Sequence, residues 1–339
     1  MRLLLLINSK WQKLSSEIVE VMEGANGMSS QGLADVDLKM LRVFATVVDC
    51  GGYAAAQIRL NLSAPSISGY MSALERRLGM RLCRRGRGGF ELTEKGAEVY
   101  RESQRLFAAI DDFTAVTGAL RGRLLGNLKV GMIDCVISDP ATVIHHAIRR
   151  FHGRRNEVHL ELVVDRPQEL QRAVLDGRLD LAFGFFPDPV DGLESRPLHD
   201  ETLEFYCGHL HPLFPQEKVS PDDLQAHRVV ARGYWRREDI ARVGAVRHAA
   251  TVYHMEAQAL LILSGRYLGY LPCHYAAAWV DAGEMRSLLP EQLRYHSTFA
   301  LITRRNPRPS LVLSTFLTDV EAAMNELAQP GKDRMRAAE

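Results

Sequence analysis

Leu60-Asn61-Leu62-Ser63-Ala64-Pro65-Ser66-Ile67-Ser68 opens the stretch that decides the fold, which runs through Leu74-Glu75-Arg76-Arg77-Leu78-Gly79. It closes on Arg84-Arg85-Gly86-Arg87-Gly88-Gly89-Phe90-Glu91-Leu92-Thr93. Ser63 is a good helix N-cap, and Pro65 falls in the first turn, where a missing N–H costs nothing. Behind the cap Ile67, Met71, Leu74 and Leu78 recur at spacings of 4, 3 and 4, which predicts one buried face. The opposite face carries Pro65, Gly69, Ser72, Ala73 and Arg76, small or basic residues that allow close approach to another surface. Gly79 stops the helix. Gly86, Gly88 and Gly89 then permit a tight hairpin turn, with Arg85 and Arg87 near its tip.

Working outward, Asp37 to Asp49 reads as a first helix with Leu38, Leu41, Phe44 and Val48 on one face. Gly51 to Leu60 reads as a short second helix whose alanines let another helix come close. Either feature alone is common in proteins that never touch DNA; their order is more specific. Residues 37–96 hold 10 Lys/Arg against 5 Asp/Glu, a net of +5, whereas the whole chain is +1, leaving about −4 elsewhere. That asymmetry favours a nucleic-acid partner for this segment alone.

These residues resemble the N-terminal domain of LysR-type transcriptional regulators. The likeness is carried by Leu41, Phe44, the Ala-rich second helix, Leu60-Asn61-Leu62-Ser63, Ser68, Leu74-Glu75, Leu78-Gly79, Arg81-Leu82, Arg85, Leu92-Thr93 and Gly96. It implies a winged helix-turn-helix over 36–93 that binds double-stranded operator DNA. The chain departs from the family where Ala64-Pro65 replaces Gln-Pro, Ser68-Gly69 lacks the usual basic residue, and Cys83 stands where a large aromatic precedes the wing. Gln and Arg make bidentate base contacts, so readout falls to smaller groups and DNA shape. The residues expected at DNA are Ser63, Ala64, Pro65, Ser66, Ser68, Gly69 and Tyr70, with Arg85 and Arg87 at the backbone or minor groove.

Residues 1–35 precede this pattern; Gly24 to Gly32 is Gly/Ser-rich, so a flexible extension is expected, and Met28 is an alternative start. Leu3 to Ile7 is too short for a signal segment or a membrane span. Five scattered cysteines suit a reducing compartment, and the expected location is cytoplasmic. After the wing, Thr93 caps a helix to about Leu120, part of a segment, 94–123, that the resemblance implies is a dimerising linker and that ends in an Arg121-Gly122-Arg123 hinge. Its stripe of Ala97, Tyr100, Phe107, Ile110, Phe113, Thr117 and Leu120 predicts pairing with a second copy.

From Leu124 the pattern becomes βαβαβ, which implies a parallel sheet with helices on its faces. The strands are expected at 128–132, 158–164 and 179–185, then 203–207, 228–231, 267–271 and 299–303. Helices are expected at 140–151, 167–175, 254–264, 273–282 and 310–327. The run Leu175 to Ala182, His211-Pro212-Leu213 and Gly269-Tyr270-Leu271-Pro272 resemble the effector-binding region of the same family. The resemblance implies a two-lobed α/β domain similar to a periplasmic binding protein over 124–330, with lobe I at about 124–202 and 304–330 and lobe II at 203–303. It also implies self-association up to a homotetramer, and RNA polymerase is a further partner to consider.

Ligands of open α/β sheets sit beyond the carboxyl ends of strands. That places Asp134, Cys135, Ser138, Pro167, Phe185, Arg232, Gly233 and Tyr234 as candidate effector contacts. Asp134 would hold an amine and Arg232 clamp a carboxylate, a pair suited to a zwitterion. The 12 histidines show no spacing typical of metal ligands. Paired-thiol sensing through Cys135, Cys207 or Cys273 has no charged setting to support it. No P-loop, Gly-x-Ser-x-Gly or Gly-x-Gly-x-x-Gly is present, so neither cofactor nor catalysis is expected. The remaining alternative is a small-molecule-binding protein or enzyme whose N-terminal helices only oligomerise; a basic wing has no purpose in such a protein.

Overall fold

The computed structural model describes residues 35–86, 89–121, 123–244, 247–306 and 310–328. The chain divides into two compact units, one up to Ser103 and one from Gln104 onward. The expected N-terminal extension lies outside the described residues.

In the first unit α1 (Asp35–Asp49), α2 (Tyr53–Leu60) and α3 (Ala64–Leu78) precede a two-stranded hairpin of β1 (Cys83–Gly86) and β2 (Gly89–Leu92). Helix α4 (Glu94–Leu120) follows. Phe44, Ile67, Met71, Leu74 and Leu82 are fully buried and form the centre of this unit. Of the three alanines of α2 only Ala56 is buried, while Ala54 and Ala55 are exposed, because one position per turn faces inward. Asn61 ends α2 in the left-handed conformation at φ 50°, which turns the chain into α3. Glu75 Oε1 accepts from the backbone N–H of Leu82 at 2.8 Å and Cys83 at 3.3 Å, tying α3 to the root of the hairpin. A Cβ at Gly96 would lie 2.0 Å from the Leu82 carbonyl oxygen, so the first turn of α4 needs a glycine there.

The second unit is α/β. Strands β3 (Leu124–Met132), β4 (Asn156–Val164) and β5 (Leu181–Phe185) are parallel, and the long β6 (Leu193–Gly208) and β11 (Tyr295–Arg304) run antiparallel to one another. The order is β10-β6-β11-β5-β3-β4, with β9 (Gly269–Pro272) also on β6 and β10 (Met285–Ser287) at the far edge. Helices α5 (Ile144–Gly153) and α12 (Leu311–Leu327) meet through Phe151 and Phe316 at 5.4 Å. Gly126 points at Val312 of α12, whereas Gly131 points at Leu170 of α6 (Pro167–Leu175), so alternate residues of β3 serve opposite faces.

Lobe II is built on β9, β10 and the carboxyl half of β6, extended by the parallel pair β7 (Arg228–Arg232) and β8 (Arg247–Val252). It carries α7 (Pro221–Leu224), α8 (Arg236–Val243), α9 (Met255–Leu263), α10 (Cys273–Asp281) and α11 (Pro290–Leu293). Strand β6 pairs with β11 as far as Leu203 and with β9 from there on, which is where the chain crosses between lobes.

Strand β3 begins four residues before the expected 128, and α7, α8, α11, β8 and β10 are additions to the sequence reading; two further differences have a local cause. The helix expected from Pro140 begins at Ile144, because Asp139 Oδ1 accepts from Ala141 N–H at 2.8 Å and holds 139–142 in a turn. Strand β6 begins at Leu193, ten residues before the expected start, because its polar run Glu194 to Thr202 hides the pairing from a hydrophobicity pattern.

Candidate functional site

Helix α3 shows its cap in full. Ser63 has extended backbone, and its Oγ accepts from Ser66 N–H at 3.3 Å and lies 2.9 Å from Ser66 Oγ. Ser63, Ala64, Pro65, Ser66 and Gly69 are exposed, while Ser68 and Tyr70 are half-buried. Lys39 of α1 stands over the Tyr70 ring at 5.3 Å, so this ring carries a cation as well as facing outward. Arg85 lies in β1, and Arg87 falls outside the described residues. Seven small or aromatic residues therefore share one end of a helix, flanked by exposed Arg76 and Arg77.

The second site is the seam between the lobes. Asp134, just past β3, sends Oδ2 across to the backbone N–H of Met255 at 2.5 Å, at the amino end of α9, with His254 Nδ1 3.7 Å away. A carboxylate suits that position because the first N–H groups of a helix are unpaired. Burial nevertheless raises the Asp134 carboxyl above its ordinary range, opposed by the Met255 N–H and by His254. Ser138 Oγ lies 2.9 Å from His274 Nδ1 in α10, and His274 Nε2 lies 2.9 Å from Glu201 Oε1 on β6. Phe185 at the end of β5 meets Trp235 edge-on at 5.0 Å, and Arg166 stands over Tyr253 at 4.2 Å. Pro167 is buried at the start of α6.

The structure withdraws Arg232 from the clamp role. Its side chain is 3% exposed and donates to Asp239 at 3.0 and 2.6 Å, and also to the Tyr295 hydroxyl. The guanidinium fork is already used by a carboxylate of its own lobe. Gly233 has a steric task, since a Cβ there would meet the Tyr253 ring at 2.3 Å. Tyr234 lies half-buried beside Arg232, and burial pushes its hydroxyl far up. Among the described residues the indole Nε1 of Trp235 is buried without a hydrogen-bond partner, a donor left over at the seam.

The thiols of Cys135, Cys207 and Cys273 sit in surroundings that favour the neutral form. Burial pushes Cys135 well up, with Glu201 and Asp134 adding to it; burial likewise lifts Cys207 to about 11 and raises Cys273. Thiolates are the reactive form, and each of these shifts disfavours it.

The sequence reading missed Asp139, His199, Glu201 and His274. Asp139 Oδ2 lies 2.6 Å from His199 Nε2. Burial disfavours the charged Asp139 carboxylate, but the hydrogen bonds from His199 and the Ala141 N–H outweigh it and the net shift is downward. The only local signal is that His199 and Glu201 are two apart on a strand and so share a face.

Comparison with known proteins matches both halves. Residues 38–97 match "Bacterial regulatory helix-turn-helix protein, lysR family", and residues 121–325 match "LysR substrate binding domain". The chain is 41% identical over 291 residues to the HTH-type transcriptional activator BauR of Pseudomonas aeruginosa, covering 85% of this chain and 95% of that one. It is 27% identical over 280 residues to the HTH-type transcriptional regulator CbbR of Xanthobacter flavus, covering 80% and 83%. Full-length CbnR complexed with its target DNA shares the fold at a TM-score of 0.57 and 21% identity, over 85% of this chain and 99% of that one. The helix-turn-helix match thus precedes the substrate-binding match along one chain, and the chain belongs to the LysR family of DNA-binding transcriptional regulators, which are not enzymes.

Proposed function

We propose that this chain activates transcription from an operator bound by α3 and the wing, in response to a small organic effector held between the lobes. The effector is a zwitterion or an amine bearing a hydrogen-bond acceptor. One observation carries this reading: the seam holds a carboxylate, Asp134, and an unpaired donor, the Trp235 indole N–H. With Arg232 engaged by Asp239, the indole replaces it as the group that meets the acceptor end. Differential affinity for two arrangements of the lobes is what lets a ligand alter the DNA complex.

On the DNA side, Ser63, Ser66, Ser68 and Tyr70 approach the major groove and Arg85 and Arg87 the backbone, so affinity falls with salt. Arg87→Ala weakens binding to every sequence, while Ser68 substitutions change sequence preference; equal effects on specific and random DNA overturn that division. Self-association runs through α4, where Phe113, Val116 and Leu120 are 70%, 54% and 84% exposed, and extends to a homotetramer. RNA polymerase is the further partner, and the cytoplasm, where operator DNA lies, is the place of action. No described helix is long and apolar enough to cross a membrane.

The test is a thermal-shift screen of the full chain against amino acids, amines, carboxylates and aromatic acids, followed by Trp fluorescence. A hit stabilises in proportion to the logarithm of ligand concentration once sites are saturated. Asp134→Asn loses the response to that hit while operator affinity without effector is retained. A hit that Asp134→Asn binds as well as the parent overturns the assignment of the amine end.

A further inference from the structure

Glu201 and Asp139 are 8% and 7% exposed, yet neither makes an ion pair with lysine or arginine among the described residues. Two buried carboxylates so close together need compensating positive charge. Their partners are imidazoles: His199 Nε2 at 2.6 Å from Asp139 and His274 Nε2 at 2.9 Å from Glu201. One donor atom each from Asp139, Glu201 and His274 lies within 4.8 Å of the others. A tetrahedral zinc ion with bonds of about 2.0–2.2 Å holds its donors roughly 3.5 Å apart, a spacing that lies between the 2.9 Å of His274 to Glu201 and the 4.8 Å limit of the set.

The chemistry of the set selects the ion. Two carboxylate oxygens and one imidazole nitrogen suit zinc, whereas calcium and magnesium prefer six or more oxygens. The surrounding groups already orient the donors. Ser138 Oγ takes His274 Nδ1 at 2.9 Å and leaves Nε2 toward the carboxylates. His199 and the Ala141 N–H fix the two oxygens of Asp139. Histidine ligands in metal sites are characteristically held by such an outer hydrogen bond.

We propose that Asp139, Glu201 and His274 form a divalent transition-metal site, for which Zn²⁺ is the fitting ion. Its occupancy fastens the lobes where the chain crosses between them: Asp139 follows β3 in lobe I, Glu201 lies on the crossing strand β6, and His274 opens α10 in lobe II. Three protein ligands leave a fourth position for water or a donor of a small molecule. The inference stands apart from the effector reading, and its test uses Zn²⁺ alone.

The full chain is stripped with EDTA, dialysed, and titrated with Zn²⁺ in competition with a chromogenic chelator. One ion per chain is expected. Glu201→Gln and His274→Gln weaken it at least about tenfold, since losing a ligand costs no less than losing its outer hydrogen bond. The pair His145→Gln/His146→Gln, on α5, leaves it unchanged. Zinc-edge absorption of the loaded parent shows only oxygen and nitrogen neighbours with one imidazole. Circular dichroism checks each variant, and Asp139→Asn replaces Glu201→Gln where the latter is unfolded. Absence of stoichiometric uptake by the parent, or uptake that the ligand variants leave unchanged, overturns the site.

Discussion

On α3 the hydroxyls of Ser63 and Ser66 serve the helix cap, and the surface from Ser63 to Ser66 stands exposed. At the seam, by contrast, Asp134, Ser138 and His274 are taken by groups of the facing lobe. A partner of α3 docks on a surface that is already formed, with little to displace. A ligand of the seam competes with contacts worth about 0.5–1.5 kcal/mol each, so its binding and the rearrangement of the lobes are one event. In the proposed function the first region recognises and the second responds.

The largest effect that separates a seam residue from its scaffold is expected at Arg232. Arg232→Ala leaves Asp239 buried and unpaired, at a cost of about 3–5 kcal/mol. Thermal and urea melts of the full chain check it. If Arg232 were a ligand clamp, the alanine variant would melt near the parent and lose only its effector response.

Acid is expected to loosen lobe II next. Burial, with His227 at 4.5 Å, depresses His211 from 6.5 to about 4, and its Nδ1 accepts from Leu213 N–H at 3.2 Å, which requires the neutral ring. A histidine whose folded pKa is lowered contributes stability that is complete above 6.5. That stability is lost as the pH falls toward 4, by up to about 3 kcal/mol. His211→Asn, whose carbonyl replaces the acceptor, flattens the dependence of melting temperature on pH in that window. An unchanged slope assigns the acid sensitivity elsewhere.

Gly96→Ala addresses the first unit. The added methyl meets the Leu82 carbonyl, and the loss is on the order of 2 kcal/mol, confined to the DNA-binding unit. Hydrogen exchange would show it as faster exchange in α1 to α3 with lobe I unchanged.

How far these regions are legible from sequence follows from their construction. Ser63, Pro65, Ile67, Met71 and Leu74 lie within one helix, so cap, first-turn proline and apolar period speak of the same element. The seam draws Asp134, Ser138, Phe185, Glu201, Trp235, Met255 and His274 from six places in the chain. No period links Glu201 to His274, 73 residues away, and only the fold brings them to 2.9 Å. Arg232 shows the opposite: a basic residue at a strand end reads as a ligand clamp, yet Asp239, one turn into α8, completes its bonding. Burial at 3% decides that question, and burial is not a local property of sequence.

The smallest effect tests the contrast most finely, because Ser63 belongs to the helix cap and, in the proposed function, to the face offered to DNA. Ser63→Ala removes the acceptor of the Ser66 N–H and costs about 1 kcal/mol of stability. Ser63→Asp restores an acceptor at the cap, and its charge is favourable at a helix amino end. The same charge repels phosphate. The aspartate variant is therefore expected to melt like the parent and bind operator more weakly, with the deficit shrinking as salt screens it. Anisotropy titrations at two salt concentrations, beside melts of both variants, separate the two roles. If aspartate binds DNA like serine at low salt, Ser63 caps the helix without facing the phosphates, and the recognition surface begins at Ser66.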